Sequence, residues 1–293
     1  MAKKKRVTVV GAGRVGQTLG RLAQQAGYEI GEVVCRSPRA AAQAVRFIGA
    51  GTPQAVARAR LSWADVVLIA TPDDEIAQAV QTVRAFGAGL RGAIALHTSG
   101  ALSSEALRPL SERGFAVGSC HPLQTFPSPA LAVGLVPGSY FCLEGEPRAV
   151  RAARKLVRAL GARSFAIPTN KKTLYHAAAV MASGGVVALA SVSLDLLGEC
   201  GLSQGESSAA LLPLIEGTVA SIRAVGPARA LTGPVRRGDA GTINRNMEAI
   251  GTIDPGLLEL YRMLAERSLA LAEAAGADKQ KLAEVRLQIT KKG

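Results

Sequence analysis

The stretch VTVVGAGRVGQTLG, residues 7–20, decides the fold class. It begins with the apolar strand pattern Val7–Val10 and continues into a helical pattern through three glycines with G-x-G-x-x-G spacing, Gly11, Gly13 and Gly16. In such a context the first glycine permits a tight turn, the second lets the backbone approach a pyrophosphate, and the third lets the helix pack closely on the strand. The stretch therefore predicts a Rossmann-type dinucleotide site, with the helix N-terminus facing the phosphates.

The end of the second predicted strand selects the dinucleotide. An NAD site would place Asp or Glu there to bind the ribose 2′-hydroxyl, but this strand ends in Cys35-Arg36-Ser37-Pro38-Arg39. Arg36 can pair with a 2′-phosphate and stack on adenine, and Ser37 offers a hydroxyl. We therefore predict NADP(H) over NAD(H), the alternative being that Arg36 and Arg39 are ordinary surface charges.

The third predicted strand also ends at the expected cofactor crevice, because ligands of such sheets bind at the carboxyl ends of the strands. We expect Thr71 and Pro72 to contact the cofactor and Asp73 to cap the following helix. The full set of predicted cofactor-binding residues is Gly11, Ala12, Gly13, Arg14, Val15, Gly16, Cys35, Arg36, Ser37, Arg39, Thr71 and Pro72.

Short apolar strands alternate with helical patterns up to Pro168, and only helical patterns follow. This order predicts an α/β chain with a doubly wound Rossmann domain over residues 1–168 and an all-α domain over residues 169–293. The predicted strands are Val7–Val10, Ile30–Cys35, Val66–Ala70, Ala93–Leu96, Ala116–Gly118, Tyr140–Leu143 and Ser164–Ile167. The predicted helices span residues 14–27, 38–48, 73–86, 103–112, 148–161, 171–199, 205–224, 240–250, 255–275 and 278–289.

The composition is that of a folded chain. Hydrophobic residues make up 48% of the 293 residues and the mean hydropathy is +0.20, which excludes a disordered protein. The four cysteines contain no C-x-x-C pair, so free thiols in a reducing compartment are expected. The basic start MAKKKR is followed by an apolar run too short for a signal peptide. We expect a soluble, cytoplasmic protein.

The segment Leu174–Leu197 is apolar enough to suggest a membrane span. It also contains several serines, two adjacent glycines and Asp195. A buried helix of the all-α domain is the better interpretation, and no membrane association is expected.

The positive charge lies almost wholly in the first half of the chain. The formal net charge is +13, and residues 1–168 contain 21 lysines and arginines against ten acidic residues. A basic half could steer any polyanion, including a phosphorylated nucleotide. Aromatic residues are only 4% of the chain and do not interleave with the cations, so we predict no nucleic-acid partner.

The three histidines lie in motif-like places. His97 begins HTSG just after a predicted strand, His121 lies in CHPLQTF just after the next strand, and His176 lies in the long helical pattern, four residues after Lys172. Each could equally be a hydrogen-bonded structural residue. A metal site built from the three with Cys120 lacks any ligand spacing, so no metal is predicted.

These motifs in order, GAGRVG, HTSG, CHPLQTF, K-x-x-Y-H and LTGPVRRGD, resemble a bacterial group of Rossmann-like proteins with a C-terminal helical domain of unknown function. Members of this group are usually named as candidate NADP oxidoreductases. The chain is more distantly similar to 6-phosphogluconate and β-hydroxyacid dehydrogenases, pyrroline-5-carboxylate reductases and deazaflavin-dependent NADP reductases. The resemblance implies a helical domain like that of 6-phosphogluconate dehydrogenase, which forms a homodimer, and a substrate bound between the two domains.

The resemblance also implies roles for individual residues. It implies three catalytic residues, Lys172, His176 and Ser99, with Lys171 as an alternative to Lys172. It places Gly100, beside Ser99, at the substrate. We further expect the substrate to be held by His121 and by the loop Thr232–Asp239, which contains Arg236. Two departures stand out: Ser183-Gly184-Gly185 replaces a Ser-Asn-Tyr of the close family, and His176 replaces an asparagine of the dehydrogenases.

Together these features predict an NADP(H)-dependent oxidoreductase. It would transfer hydride to or from a small carbonyl, imine or hydroxy compound, with Lys172 or His176 as general acid or base. The Arg236-Arg237 pair suggests an anionic group on that substrate. The alternative is a non-catalytic NADP(H)-binding sensor whose helical domain recruits a partner.

Overall fold

A computed structural model of the chain describes residues 4–291, with the backbone alone at position 88. These residues form an eight-stranded sheet in the order β3-β2-β1-β4-β5-β6-β7-β8, parallel throughout except where β6 meets β7. The strands are β1 (Arg6–Val10), β2 (Glu29–Cys35), β3 (Thr52–Ala55), β4 (Val66–Ile69), β5 (Ile94–His97), β6 (Ala116–Leu123), β7 (Tyr140–Gly145) and β8 (Arg163–Ala166).

Helices α1 to α6 alternate with the strands, and helices α7 to α13 follow β8 with no further strand up to the end of the described chain. They are α1 (Arg14–Gln25), α2 (Pro38–Ile48), α3 (Ile76–Phe86), α4 (Arg108–Ser111), α5 (Pro129–Leu135), α6 (Pro147–Ala159), α7 (Lys172–Ala182), α8 (Gly184–Glu199), α9 (Gln204–Ala230), α10 (Gly233–Arg237), α11 (Ala240–Ile253), α12 (Pro255–Ala274) and α13 (Lys279–Thr290). The predicted class is confirmed: a Rossmann-like sheet precedes a helical region. Sequence patterns missed the edge strand β3, which contains a proline, and the short helices α5 and α10.

The central strands β4 and β5 are buried along their whole length, and β1 is buried from Val7 onward, because helices cover both faces of the sheet. One core cluster packs β1, β2 and β4 against α1, α2 and α6, with Val9, Leu19 and Leu68 among its buried members. The other packs the opposite face against α3 and α4, with Ile69 and Val83 buried. Burying each such side chain contributes roughly 1.5–3 kcal/mol to the free energy of folding. The two core clusters therefore fix the positions of the strands and of the loops at their ends.

The chain forms two compact units that divide between Gly184 and Gly185. The change from strands to helices falls earlier, after β8, and helix α7 belongs to the first unit. The core of the second unit is built by α10 to α13, with Ile243, Leu269 and Val285 fully buried.

The predicted long helix over residues 171–199 is interrupted. The backbone leaves regular helix geometry at Ser183 (φ −114°, ψ −77°), so α7 ends at Ala182 and α8 begins at Gly184. The expectation that this segment is buried is wrong for the single chain. No residue of α8 is buried, and Leu174, Met181 and Val187 are each at least 69% exposed.

Two segments, Thr169–Glu199 and Gln204–Ala230, are long and apolar enough to cross a membrane by length and composition alone. A protein–protein interface produces the same pattern, so this is weak evidence for a membrane span.

Candidate dinucleotide and reaction site

The glycine turn between β1 and α1 uses its three glycines differently. Gly11 has φ +86°, and a Cβ atom there would lie 2.5 Å from Cγ2 and 2.7 Å from the backbone N of Thr71. A Cβ on Gly16 would lie 2.5 Å from the carbonyl oxygen of Gly11. A Cβ on Gly13 would meet no atom within 4 Å. Gly11 and Gly16 are therefore required by the fold, whereas Gly13 leaves open space beside the helix N-terminus.

Backbone hydrogen bonds hold this turn against the second strand. The Gly11 amide donates to Val34 O at 2.9 Å, and the Gly13 amide donates to Gly11 O at 2.9 Å. The Ala12 amide donates a hydrogen bond to the Cys35 thiol, so Cys35 helps to hold the turn. Burial raises the pKa of this thiol. The Thr71 hydroxyl is buried without a hydrogen-bond partner, which is the kind of orphaned polar atom that a bound ligand satisfies.

The residues predicted to select NADP(H) lie at the surface. The side chain of Arg36 is 87% exposed and is 3.5 Å from Glu75, a pairing that a stronger anion could displace. The Ser37 hydroxyl accepts a hydrogen bond from the Ala40 amide as the N-cap of α2, and it keeps its own proton to donate. Arg39, in the first turn of α2, is exposed.

Asp73 does not cap a helix as predicted. Its carboxylate accepts a hydrogen bond from the Ser99 hydroxyl at 2.8 Å, so it joins the loop after β4 to the loop after β5. The Ser99 hydroxyl also accepts hydrogen bonds from the amides of Ala101 and Leu102, at 3.2 and 2.9 Å. Its proton and both lone pairs are thus used within the fold, and the catalytic role predicted for Ser99 stays a prediction.

His97 is the last residue of β5, not the first after it, and is fully buried. Its Nε2 lies 3.0 Å from Ser103 O and its Nδ1 accepts a hydrogen bond from the Ser99 amide at 3.2 Å. A carbonyl oxygen only accepts, so the ring carries its proton on Nε2. Burial, assisted by Lys172, lowers the pKa of His97 to about 4. His97 is therefore a neutral residue that holds the Ser99 loop.

Of the two candidate lysines, Lys172 points inward and Lys171 is exposed. Lys172 is 1% exposed, and its Nζ donates to Ser99 O at 2.9 Å. Burial lowers the pKa of this ammonium, an effect opposed by nearby groups that include Glu144 and Asp73. The structure thus places a cation directly beneath the loop after β5.

Two histidines and a tyrosine lie above that cation, around Gly100. His121 lies within β6, not after it as predicted, and its Nδ1 is 2.7 Å from the hydroxyl of Tyr175. The rings of His121 and His176 are 5.9 Å apart and nearly perpendicular. A Cβ on Gly100 would lie 2.4 Å from His176 and 2.8 Å from His121 Nε2, so a side chain there would displace both rings.

The groups of this cluster shift one another's pKa values. Burial, followed by the charges of Lys172 and His176, lowers the pKa of His121 to about 3, so His121 is neutral at physiological pH. Burial raises the pKa of Tyr175, and its hydroxyl lies against the Cys142 thiol. His121 and His176 are half-buried and can reach a ligand, whereas Lys172 lies behind them.

Sequence reasoning missed Glu144, which fixes the start of α7. This carboxylate is 1% exposed and accepts hydrogen bonds from the Ser104 amide and hydroxyl at 2.7 Å and from the Thr169 hydroxyl at 2.8 Å. A glutamate at the end of the apolar run YFCLEG was the available signal, since buried carboxylates require such partners. Tyr175 was also missed as a site residue, because the sequence does not show that its hydroxyl lies beside His121.

Two predicted substrate-binding residues, Thr232 and Arg236, lie in the second compact unit. Thr232 precedes α10 and is exposed, and Arg236 Nη2 donates to Ala275 O at 3.1 Å. Their roles toward a substrate stay predictions. Among residues 4–291, no group of three or more histidine, cysteine or acidic side chains is placed to hold a metal ion.

Comparison with known domain families matches both parts of the chain. Residues 2–122 match the Rossmann-like domain, and residues 139–268 match a domain of unknown function, DUF2520. The first range therefore has the sequence of a Rossmann-like domain and the second that of DUF2520. This confirms the resemblance drawn from GAGRVG, HTSG and CHPLQTF. No curated protein matches the chain.

Solved structures with this architecture cover nearly the whole chain. Protein TM1727 from Thermotoga maritima is 28% identical, with a TM-score of 0.74 over 92% of this chain and 98% of its own. BF3122 from Bacteroides fragilis, named as a candidate NADP oxidoreductase, is 22% identical, with a TM-score of 0.71 over 91% and 98%. A reductive aminase from Aspergillus terreus, in complex with NADPH and ethyl-5-oxohexanoate, is 15% identical, with a TM-score of 0.58 over 98% and 93%.

Proposed function

We propose that this chain is an NADP(H)-dependent oxidoreductase acting on a small carbonyl, imine or hydroxy compound. The observation that carries the proposal is a continuous row of loops at the carboxyl ends of adjacent strands. The open glycine turn touches Thr71 after β4, Asp73 in the same loop binds Ser99 after β5, and Gly100 adjoins the two half-buried histidines. A phosphate-binding turn and a proton-transfer cluster thus lie along neighbouring strand ends, where such sheets bind ligands.

The residues of the turn fit the dinucleotide. The open space at Gly13 admits a pyrophosphate, and the unpartnered Thr71 hydroxyl is available to it. Arg36, directly after β2, supports a 2′-phosphate, since the end of that strand carries no Asp or Glu. The complexes of the A. terreus reductive aminase with NADPH and of a Plasmodium falciparum pyrroline carboxylate reductase with NADP support the same choice. When bound, the nicotinamide supplies or accepts the hydride.

The polar cluster provides the remaining groups that hydride transfer needs. His176, half-buried beside Gly100, delivers or removes the proton of the reacting oxygen or nitrogen. His121, neutral and held by Tyr175, binds the same substrate by a hydrogen bond. Lys172 contributes positive charge from beneath the Ser99 loop, where a low local dielectric strengthens its effect on negative charge that develops on the substrate.

Consumption of NADPH in the presence of candidate substrates tests this proposal. The panel should pair ketones, aldehydes and 2-keto acids with and without an amine, and should include cyclic imines. We expect at least one class to oxidise NADPH above the rate without enzyme, and a His176→Ala variant to lose that activity. Tight NADPH binding with no consumption across the panel would favour the non-catalytic sensor instead.

We further propose that the protein is a homodimer joined through α8 and α9. In the single chain α8 buries no residue and α9 buries Ser207 alone, and large apolar residues such as Val187, Leu212 and Leu214 are 55–69% exposed. Exposed apolar faces of this extent mark interfaces. Charged residues along both helices, including Asp195, Glu216 and Arg223, disfavour a bilayer. A dimer that covers these helices would be soluble, in agreement with the expected cytoplasmic location.

The mass in solution checks the dimer. Light scattering on the detergent-free protein should give twice the chain mass of 30.2 kDa. A Val187→Glu/Leu214→Glu variant should dissociate or aggregate, because both charges would enter an apolar interface. A wild-type protein that is monodisperse at 30.2 kDa, or that stays soluble only in detergent, would contradict the proposal.

A further inference from the structure

A cavity of about 510 Å³ opens at the amino ends of the parallel strands, whereas the glycine turn lies at their carboxyl ends. It lies beside the starts of β1, β4 and β5, marked by Lys5, Asp65 and Ala93. The volume is in the range of small-molecule sites. The oxidoreductase proposal makes no use of this cavity, nor of most of the positive charge of the first half of the chain.

Five cations line the cavity. Three come from one face of α6, where Arg148, Arg151 and Lys155 are spaced at i, i+3 and i+7. Lys5 and Arg91 face them from the strand starts. The helix buries its other face on the sheet, so the three basic side chains have a fixed backbone behind them.

These five cations are not neutralised by the fold. None of them forms an ion pair with any residue that the structure describes. The lining includes one carboxylate, Asp65, which accepts a hydrogen bond from the Arg6 amide at 2.8 Å. Like charges gathered in one concave site raise its potential and repel one another, and an anionic ligand relieves that repulsion.

The same cavity has aromatic walls. Trp63 and Tyr28 line it, and Trp63 is 37% exposed. The Arg6 guanidinium lies 5.4 Å from the centroid of the indole ring, which fixes the ring by a cation–π contact. An aromatic surface beside clustered cations suits a ligand that has both a flat ring and several phosphates.

We propose that this cavity binds a nucleoside polyphosphate, with its phosphates among the cations of α6 and its base near Trp63. The site is distinct from the dinucleotide turn because the two lie at opposite ends of β1. The proposal does not depend on the oxidoreductase activity.

Trp63 is the sole tryptophan of the chain, so its fluorescence reports on this cavity alone. The experiment is a titration of the full-length protein with ATP, excited at the red edge of tryptophan absorption, with and without saturating NADP⁺. We expect a saturable fluorescence change that persists with NADP⁺. AMP and inorganic triphosphate should each bind at least tenfold more weakly than ATP, since each lacks part of the ligand.

Matched variants separate a built site from diffuse attraction. Arg151→Gln/Lys155→Gln removes two cations from the cavity, and Arg154→Gln/Arg158→Gln removes two exposed cations of the same helix that do not line it. The first variant should weaken ATP at least tenfold and the second less than twofold, with equal helix content by circular dichroism. Equal weakening by both variants, loss of the signal with NADP⁺, or no saturable change would overturn the proposal. Equal affinity for inorganic triphosphate would overturn its nucleoside part.

Discussion

Replacing Lys172 with methionine is expected to lower kcat/KM by about 100- to 1,000-fold, the usual effect of removing one preorganised group that stabilises transition-state charge. Lys172 is the 1%-exposed cation beneath the Ser99–Gly100 loop, and methionine keeps most of its length and volume. NADPH affinity should change less than threefold, because the glycine turn lies at other strand ends. The measurement is steady-state turnover on whichever substrate class the NADPH panel identifies, together with NADPH binding.

Lys171→Met is the matched control. Lys171 has the same charge and is the adjacent residue, but its side chain is exposed, so this variant should keep wild-type turnover. A thermal melt of both variants shows whether a loss of turnover comes from unfolding or from the missing ammonium group. Lys172→Met with normal turnover, or Lys171→Met with the larger loss, would refute the role given to Lys172. Because Lys172 contributes to the low pKa of His121, the imidazole should titrate at a higher pH in Lys172→Met, as followed by NMR.

Gly11→Ala and Gly13→Ala should separate folding from nucleotide binding. Gly11 has a positive φ, and an added methyl would overlap the backbone of Thr71. We expect Gly11→Ala to lower the free energy of unfolding by about 2–4 kcal/mol, from backbone strain and overpacking. Gly13 has φ −73° and free space around its Cβ position, so Gly13→Ala should change that free energy by less than about 1 kcal/mol.

For NADPH affinity the two variants should rank the other way round. Gly13→Ala, which changes stability less, should weaken NADPH binding more. Gly13→Ala places a methyl in the space proposed for the pyrophosphate, and the dissociation constant should rise at least tenfold, which corresponds to about 1.4 kcal/mol. Urea denaturation and fluorescence titration of the two variants provide the comparison. A Gly13→Ala protein that binds NADPH as tightly as the wild type would place the phosphates elsewhere.

The fold and the glycine turn could be predicted because their signals are local. An apolar strand, three spaced glycines and a helix lie within fourteen residues, and α2 begins and ends where its pattern does, at Pro38 and Ile48. The end of β6 could not be predicted in this way. This strand continues through His121 to Leu123 because it pairs with the antiparallel β7, and that pairing leaves no mark in the sequence near His121.

The sequence predicted which residues belong to the site but not which of them bond to one another. The bond from Ser99 to Asp73 and the contact of His121 with Tyr175 join residues 26 and 54 positions apart. One sequence alone does not reveal such pairs, so Asp73 was assigned to a cap and Tyr175 to no role. The exposure of α8 was missed for another reason: apolar periodicity indicates that a surface is covered, but not whether the same chain covers it.

The most direct test of the central claim is a titration of the purified protein with NADPH and with NADH, followed by nicotinamide fluorescence, in wild type and Arg36→Ala. The account predicts saturable NADPH binding, at least tenfold tighter than NADH, and a preference that disappears in Arg36→Ala because the 2′-phosphate loses its cation. No binding of either nucleotide would contradict the account, since the glycine turn would then serve a different ligand or none.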